Sequence, residues 1–368
     1  MFETNAKALN ATVKILKKRY GTAKNEALKA AFLSQEVPGE VLLRVSHLDS
    51  ECHLRIEGEG TLDKDGGVAL SFLSKLLVKA KKSQLRLSVQ TEVSEEDPEI
   101  STTTVGVGFG TSDFTATSIK EPLDFFQTNA KPSQTRAVPQ EVFNALNRAS
   151  AYAAKTYGRS LDYIQLKCEG SQVTVVASDG HALYHERVDA DLSGILPEDS
   201  LLLHGKDVTL MSKLFTTGAE VAYENGWSNF EGGHAVVKLK ENTEHYPNIA
   251  FLLRGRSNAV TITVDVAEML EKVEHVLLCD SKLKALTLRH EAGTLTLSCE
   301  GTKAFSGSVS AEGSNTTFMC KISPALLKKA LQGLEDGEVE LDFLDGLSPL
   351  NFKQENRTLL LMPLSITS

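Results

Sequence analysis

Ser178-Asp179-Gly180-His181 is the stretch of this sequence with the plainest capacity for chemistry. An aspartate and a histidine two residues apart could share a proton as an acid–base dyad. The same residues also make a tight turn, since Asp-Gly ends a strand with a polar cap and a permissive φ. A Gly-x-Ser-x-Gly nucleophile motif does not accompany them, so a turn is the favoured expectation and hydrolysis by Asp179 and His181 the weaker one. His181 and His185 would suit a metal pair at helical spacing, but their surroundings alternate like a strand, where four residues span about 13 Å. Gly106-Val107-Gly108-Phe109-Gly110 follows a threonine-rich strand pattern, and no helix opens after it to hold phosphates. It is expected to be a Gly-rich strand at a sheet edge. No P-loop or paired-carboxylate motif is present, so the expected catalytic residues, cofactors and metals are none.

The C-terminal cluster Leu359-Leu360-Leu361-Met362-Pro363-Leu364 has almost no polar cover. Part of it should be a last buried strand. Pro363 cannot donate to a ladder, so the strand should end there and leave neighbouring side chains to line a groove. Methionine suits a groove that takes varied partners.

Repeated elements position these residues. Within Leu161–Gly180, Ile164, Leu166 and Cys168 alternate with polar residues, Glu169-Gly170-Ser171 turns, and Val173, Val175 and Ala177 alternate again. That pattern is a hairpin with one buried face. Leu283–Gly301 repeats it with Leu286, Leu288, Leu295, Leu297 and Cys299, and a fainter copy starts at Leu28. A helical pattern precedes each hairpin and another follows it, over 6–20 and 71–82, 139–159 and 206–215, and 265–284 and 323–332. Three α+β domains of similar architecture are expected, the alternative being three hairpins alike by coincidence. Turn formers gather at 129–133 and 254–258, which divides the chain into 1–128, 134–254 and 258–368.

A chain of 368 residues exceeds what one core usually serves, in keeping with several domains. No apolar run approaches the roughly 18–20 residues that cross a bilayer, so no membrane partner is expected. Met1-Phe2-Glu3-Thr4-Asn5 lacks the basic and apolar regions of a secretory signal. The five cysteines are scattered, which fits a reducing cytoplasm.

Net charge is −9, yet the six helical stretches carry +12 and the remainder −21. Lysine often decorates solvated helix faces, but an excess over several repeated helices suggests a surface for phosphates. The first pair is the most basic, with Lys7, Lys14, Lys17, Lys18, Arg19, Lys75, Lys79, Lys81 and Lys82. The stretch 265–284 breaks the pattern with Glu268, Glu271 and Glu274.

Three motifs, in this order and spacing, carry a resemblance over the whole chain. They are Val176-Ala177-Ser178-Asp179-Gly180-His181-Ala182-Leu183, Glu244-His245-Tyr246-Pro247-Asn248 and Leu361-Met362-Pro363-Leu364. With the threefold repeat, the sequence resembles the β sliding clamp family of bacterial DNA polymerase III, most faintly in its first domain. The resemblance implies an α+β fold of three tandem DNA-clamp domains, each with two helices packed on antiparallel sheets. It implies a head-to-tail homodimeric ring around double-stranded DNA, a non-catalytic processivity factor. Its partners would be the polymerase III catalytic subunit, the clamp loader and other proteins bearing short apolar clamp motifs.

By motif position, the resemblance implies a peptide pocket of Leu161, Ser178, Gly180, His181, Leu183, Pro247, Leu252, Leu360, Met362, Pro363 and Leu364. DNA-facing cations would include Lys155 and Arg159, before the Leu161 strand. Helix position adds Lys14, Lys17, Lys75, Lys79 and Lys213. Two departures bear on peptide preference: Ala182 stands where the family usually has arginine, and the chain ends in Ser365-Ile366-Thr367-Ser368 rather than an arginine-containing tail. The alternative function is a degenerate clamp paralogue, a ring-shaped scaffold that is not loaded on DNA.

Overall fold

A computed structural model describes residues 1–21, 23–80, 83–93, 101–121, 126, 134–154, 159–197, 200–254, 259–279, 285–300 and 304–364. The break expected at 129–133, that at 254–258 apart from Arg254, and Lys81, Lys82, Lys155 and the tail 365–368 lie outside them.

Seven α-helices are present among the described residues: α1 (Ala6–Tyr20), α2 (Leu70–Ala80), α3 (Gln140–Ala149), α4 (Gly205–Leu214), α5 (Ala250–Leu253), α6 (Val266–Cys279) and α7 (Pro324–Leu331). The six long ones answer to the six helical stretches of the sequence. Local signals set their ends. The Asn5 side chain accepts from the Lys7 N–H at the start of α1, and that of Asp265 accepts from the Glu268 N–H at the start of α6. Ser323 caps α7, whose first residue is Pro324. In α1, Leu9, Val13, Leu16 and Tyr20 recur at helical spacing and are buried. Each such side chain contributes roughly 1.5–3 kcal/mol by leaving water.

The pattern over 139–159 overshoots. Helix α3 stops at Ala149, and the chain then turns, with the Tyr152 N–H donating to the Ala149 carbonyl at 2.8 Å. The turn buries Tyr152 and Ala153, so apolar spacing continues past the helix that it seemed to define.

The chain packs as two units. The first comprises 1–143, 192–199 and 206–242. It holds a five-stranded sheet in the order Glu59–Gly60, Phe2–Asn5, Gln84–Val93, Ser101–Phe109, Ser112–Thr117. It also holds an eight-stranded sheet in the order Arg136–Val138, Ala219–Glu224, Trp227–Gly232, Ala235–Lys240, Ser50–Glu57, Glu40–His47, Ala30–Val37, Gly66–Ala69. Helices α1 and α2 pack on each other here.

The Gly-rich strand is not at an edge, contrary to expectation. Ser101–Phe109 lies inside its sheet, between Gln84–Val93 and Ser112–Thr117. Its glycines admit neighbours: a Cβ on Gly106 would lie 2.4 Å from Ser88 Oγ, and one on Gly108 2.1 Å from Asp113 Oδ1.

The second unit comprises 144–191, 200–205 and 243–368. Its nine-stranded sheet runs Ser200–His204, Tyr163–Glu169, Gln172–Ser178, Ala182–Asp189, Arg357–Leu361, Leu350–Gln354, Glu338–Phe343, Val260–Asp265, Glu312–Gly313. A four-stranded sheet runs Phe305–Ser310, Thr294–Cys299, Leu286–Glu291, Phe318–Ile322. The expected hairpins are Tyr163–Glu169 with Gln172–Ser178, and Leu286–Glu291 with Thr294–Cys299.

Each large sheet has a seam where strands far apart in sequence pair. Ser50–Glu57 pairs with Ala235–Lys240, and Ala182–Asp189 with Arg357–Leu361. Both seams bury a carboxylate opposite a cation, Glu51 facing Lys238 in one register and Glu186 facing Arg357 in the other. Glu186, 2% exposed, accepts from Arg357 Nε at 3.0 Å and Arg148 Nη2 at 2.7 Å, and from the Tyr184 hydroxyl. Such a pair tolerates burial only because every partner is present.

Arg19, counted among the basic residues of the first helix, does not face solvent. Its side chain is 8% exposed, and the guanidinium is held by Asp207 Oδ1 at 2.5 Å, Ser50 Oγ at 2.9 Å and Asp49 Oδ1 at 3.3 Å. Burial alone would lower its pKa, but the Asp207 carboxylate outweighs that and keeps the charge in place.

Candidate peptide groove and basic helix faces

Asp-Gly after the strand Gln172–Ser178 produces a closed turn. Gly180 takes φ +84°, open to glycine without strain. The Ser178 hydroxyl donates to the Ala182 carbonyl at 3.0 Å and accepts from the Gly180 N–H at 3.1 Å. Asp179 Oδ1 accepts from the His181 N–H at 3.0 Å and the Ala182 N–H at 2.8 Å. With Oδ1 occupied by its own turn, Asp179 turns Oδ2 to Lys329 Nζ, 3.0 Å away. The carboxylate is thus a structural cap, and its partners are backbone amides and an ammonium.

The C-terminal strand docks on this turn. Leu183 and Leu360 face each other in register, both 3% exposed. Beyond Leu361 the ladder ends, as Pro363 requires. The Met362 N–H still reaches the His181 carbonyl at 2.8 Å, and the Leu364 N–H reaches the Lys321 carbonyl at 2.8 Å. Met362 is 41% exposed, while Pro363 and Leu364 are half-buried. Gly180 and His181 are exposed, and Ser178 is buried beneath them. These contacts bring Ser178, Gly180, His181, Leu183, Leu360, Met362, Pro363 and Leu364 together.

Leu161, Pro247 and Leu252 come from other stretches of the same unit. Leu161, half-buried at the end of a one-turn 3-10 helix (Arg159–Asp162), accepts the Ala154 N–H on its carbonyl at 2.8 Å. Pro247 is exposed outside any helix or strand, and Leu252 is half-buried in α5, whose Ala250 N–H donates to Asn248 Oδ1 at 3.0 Å. Tyr246 sits beside the Ser178 backbone, and burial pushes its phenol well above the ordinary range.

Sequence reasoning passed over the supports. Lys329 Nζ lies 4.4 Å from the centre of the Tyr152 ring, and the Tyr152 hydroxyl donates back to the Lys329 carbonyl at 2.9 Å. Tyr152 also packs on Tyr184, ring centres 5.2 Å apart. Met319, Leu344 and Leu347 add exposed apolar surface in this unit, at 54%, 41% and 69%. Only hairpin loop composition could have flagged the last two.

Of the expected DNA-facing residues, Lys14, Lys75, Lys79 and Lys213 are exposed on helices whose opposite faces are buried, and Lys17 is half-exposed. Arg159 lies in the 3-10 turn; nothing is described of its side chain. Helix α6 differs: Glu268 and Glu271 are exposed, and Glu274 pairs with Lys328 of α7 at 2.8 Å. Among the described residues no cluster of three or more His, Cys, Asp or Glu could hold a metal ion, and no helix is long and apolar enough to cross a membrane.

Taken over its whole length, this arrangement is the fold of the DNA polymerase sliding clamps. A DNA polymerase III β sliding clamp from Pseudomonas aeruginosa bound to griselimycin superposes at TM-score 0.82 with 16% identity, covering 99% of this chain and 100% of that one. A sliding clamp from Caulobacter crescentus does so at TM-score 0.81 and 18% identity, with 99% of each chain covered. The Helicobacter pylori β clamp bound to a DNA ligase peptide gives TM-score 0.81 at 17% identity, again over 99% of each chain. No family model and no curated protein matches the sequence.

Proposed function

We propose that this chain is a sliding clamp, a non-catalytic processivity factor built of clamp domains 1–128, 134–254 and 258–368. Two copies, head to tail, would close a ring around duplex DNA and tether the polymerase III catalytic subunit, the clamp loader and other motif-bearing proteins in the cytoplasm. The observation that carries this is the likeness to sliding clamps over 99–100% of the chain at TM-scores of 0.80–0.84. Two features support it. The strands Ser112–Thr117 and Phe305–Ser310 each have one neighbour among the described residues, so each sheet offers an edge to a second copy. The exposed Lys14, Lys75, Lys79 and Lys213, with Lys17, supply cations that meet phosphates without reading bases; Lys155 and Arg159 would join them.

The groove around Met362 is proposed as the peptide pocket, with Leu161, Ser178, Gly180, His181, Leu183, Pro247, Leu252, Leu360, Pro363 and Leu364. Its aliphatic floor would bury a peptide's apolar anchors and the 178–181 turn would supply polar contacts. That a related-fold clamp is seen with a DNA ligase peptide supports such a use. Tethering then raises the local concentration of a polymerase at its template.

The test is loading by a matched clamp loader. A clamp stays on closed circular DNA and slides off once the circle is cut. A chain that the loader never retains on circles is not a working clamp. One observation favours the alternative of a ring-shaped scaffold: the exposed Glu268 and Glu271 on α6 would repel phosphates where other helices attract them. A scaffold would dimerise and bind peptides yet fail that assay.

A further inference from the structure

We infer that Phe32, Arg44 and His53 form a docking socket, separate from the groove, for a peptide that carries an acidic residue and a phenylalanine, and that this chain fills it with its own Glu121 and Phe126. All five residues belong to the first unit, so the inference does not depend on the function proposed above.

The three socket side chains form one row across neighbouring strands. Phe32 of Ala30–Val37 faces Arg44 of Glu40–His47 in register, and Arg44 faces His53 of Ser50–Glu57. Phe32 and His53 are buried. Both meet the Phe126 ring edge-on, with centroids 5.7 and 5.6 Å away and interplanar angles of 78° and 80°. Aromatic quadrupoles favour that arrangement. The Arg44 guanidinium lies 4.6 Å from the centre of the same ring, and its Nη2 donates to Glu121 Oε2 at 3.0 Å. One arginine thus reads both the ring and the carboxylate. The sheet also grips the start of this stretch. The Ile119 N–H donates to the Gly67 carbonyl at 2.8 Å, and the Gly67 N–H to Ser118 Oγ at 2.9 Å. A Cβ at Gly67 would lie 2.3 Å from the Ile119 carbonyl oxygen, so the close approach requires glycine.

The comparable seam of the nine-stranded sheet lacks this chemistry. In the eight-stranded sheet the Lys240 N–H donates to the Asp49 carbonyl at 2.9 Å, just as the Met362 N–H does to that of His181 at 2.8 Å. Four residues beyond these carbonyls stand His53 and His185. In register with His185 is Val176, where the first seam has Arg44, and then Gln165, where it has Phe32. A ring and a carboxylate suited to Arg44 find no guanidinium at that place. Held on the same chain, Glu121 and Phe126 act at an effective concentration on the order of millimolar. A free peptide at far lower concentration is therefore shut out until the anchor is removed.

The test uses the full chain and a fluorescein-labelled peptide with this chain's own sequence over 119–128, read by anisotropy. The unaltered chain should not bind it, and Phe126→Ala, which empties the socket, should bind it one to one. Adding Arg44→Lys to Phe126→Ala should weaken binding about tenfold, since an ammonium keeps the charge but loses the stacked plane. A peptide that itself carries Phe126→Ala should also bind at least about tenfold more weakly. Adding Met362→Asp should change nothing, which separates the socket from the groove. No binding by a folded Phe126→Ala chain overturns the inference. So does equal binding by the unaltered chain, indifference to Arg44→Lys or to the altered peptide, or loss with Met362→Asp, which would put the peptide in the groove. If Phe126→Ala does not fold, Phe126→Leu, which keeps bulk and loses the ring, takes its place with the same outcomes.

Discussion

Met362 donates its backbone N–H to the carbonyl oxygen of His181 at 2.8 Å, joining residues 181 positions apart in sequence. This bond extends a ladder that Pro363 would otherwise stop, and it leaves both side chains outside the sheet. Because backbone holds backbone, the two side chains can be changed without cutting the link between the strands.

Met362→Asp should therefore leave the fold and any dimer intact while lowering affinity for an apolar peptide by at least about tenfold, since a carboxylate would be desolvated against aliphatic groups. Titration calorimetry and native mass measurement check the two halves. Unchanged peptide affinity would place the binding surface elsewhere.

Binding to linear duplex should weaken with salt, log K falling by about 0.9 per phosphate neutralised. Replacing Lys14, Lys75, Lys79 and Lys213 by alanine should make that slope shallower by about one unit for each residue that truly meets a phosphate. Anisotropy at four salt concentrations reads the slope. An identical slope in the variant removes these helices from the DNA surface.

Glu186→Gln should cost about 3 kcal/mol of stability, because it strands the Arg148 and Arg357 guanidiniums that converge on one buried carboxylate. Urea unfolding monitored by circular dichroism gives the number. Replacing Glu186 and Arg357 together by apolar residues should cost less than the single change.

Acid should weaken the chain before its carboxylates titrate. Burial holds His53 below its ordinary value of 6.5, partly opposed by Glu51 and reinforced by Lys238 and Arg44. His185 is lowered too, by burial and then by Arg187. Unfolded histidines bind protons near 6.5 while these stay neutral, so stability is complete above that value and falls as the pH drops from it toward the folded values. Melting temperature measured from pH 7.5 to 5 should decline, and His53→Gln with His185→Gln should flatten the decline.

Much of the fold was legible because it rests on short-range periodicity. The turn at Glu169-Gly170-Ser171 and the alternation around it became one hairpin, and Leu9, Val13, Leu16 and Tyr20 became one buried helix stripe. Errors came where period and structure part company: Ala153 keeps helical spacing with Ala149 but lies in a turn. Three motifs marked most of the residues proposed for the groove, while Leu161, Leu252 and Leu360 lie outside them. The groove's supports were not marked, since Lys329 and Asp179 are 150 positions apart and Arg357 and Glu186 are 171 apart. A long-range ion pair leaves no local pattern in a sequence. Arg19 shows the reverse failure, a helix-end cation that looked solvated and is buried on Asp207.

Among the described residues, the strands Ser112–Thr117 and Phe305–Ser310 each pair with a strand on one side only. A rim of that kind does not discriminate: it will zip onto any extended segment with free amides, misfolded neighbours included. On the proposed pairing of two copies, a copy that has not yet met a second would be exposed to clumping. Mutations that blunt either rim, such as a proline at Ser308, would reduce that hazard and, on the proposed pairing, leave a chain that stays solitary.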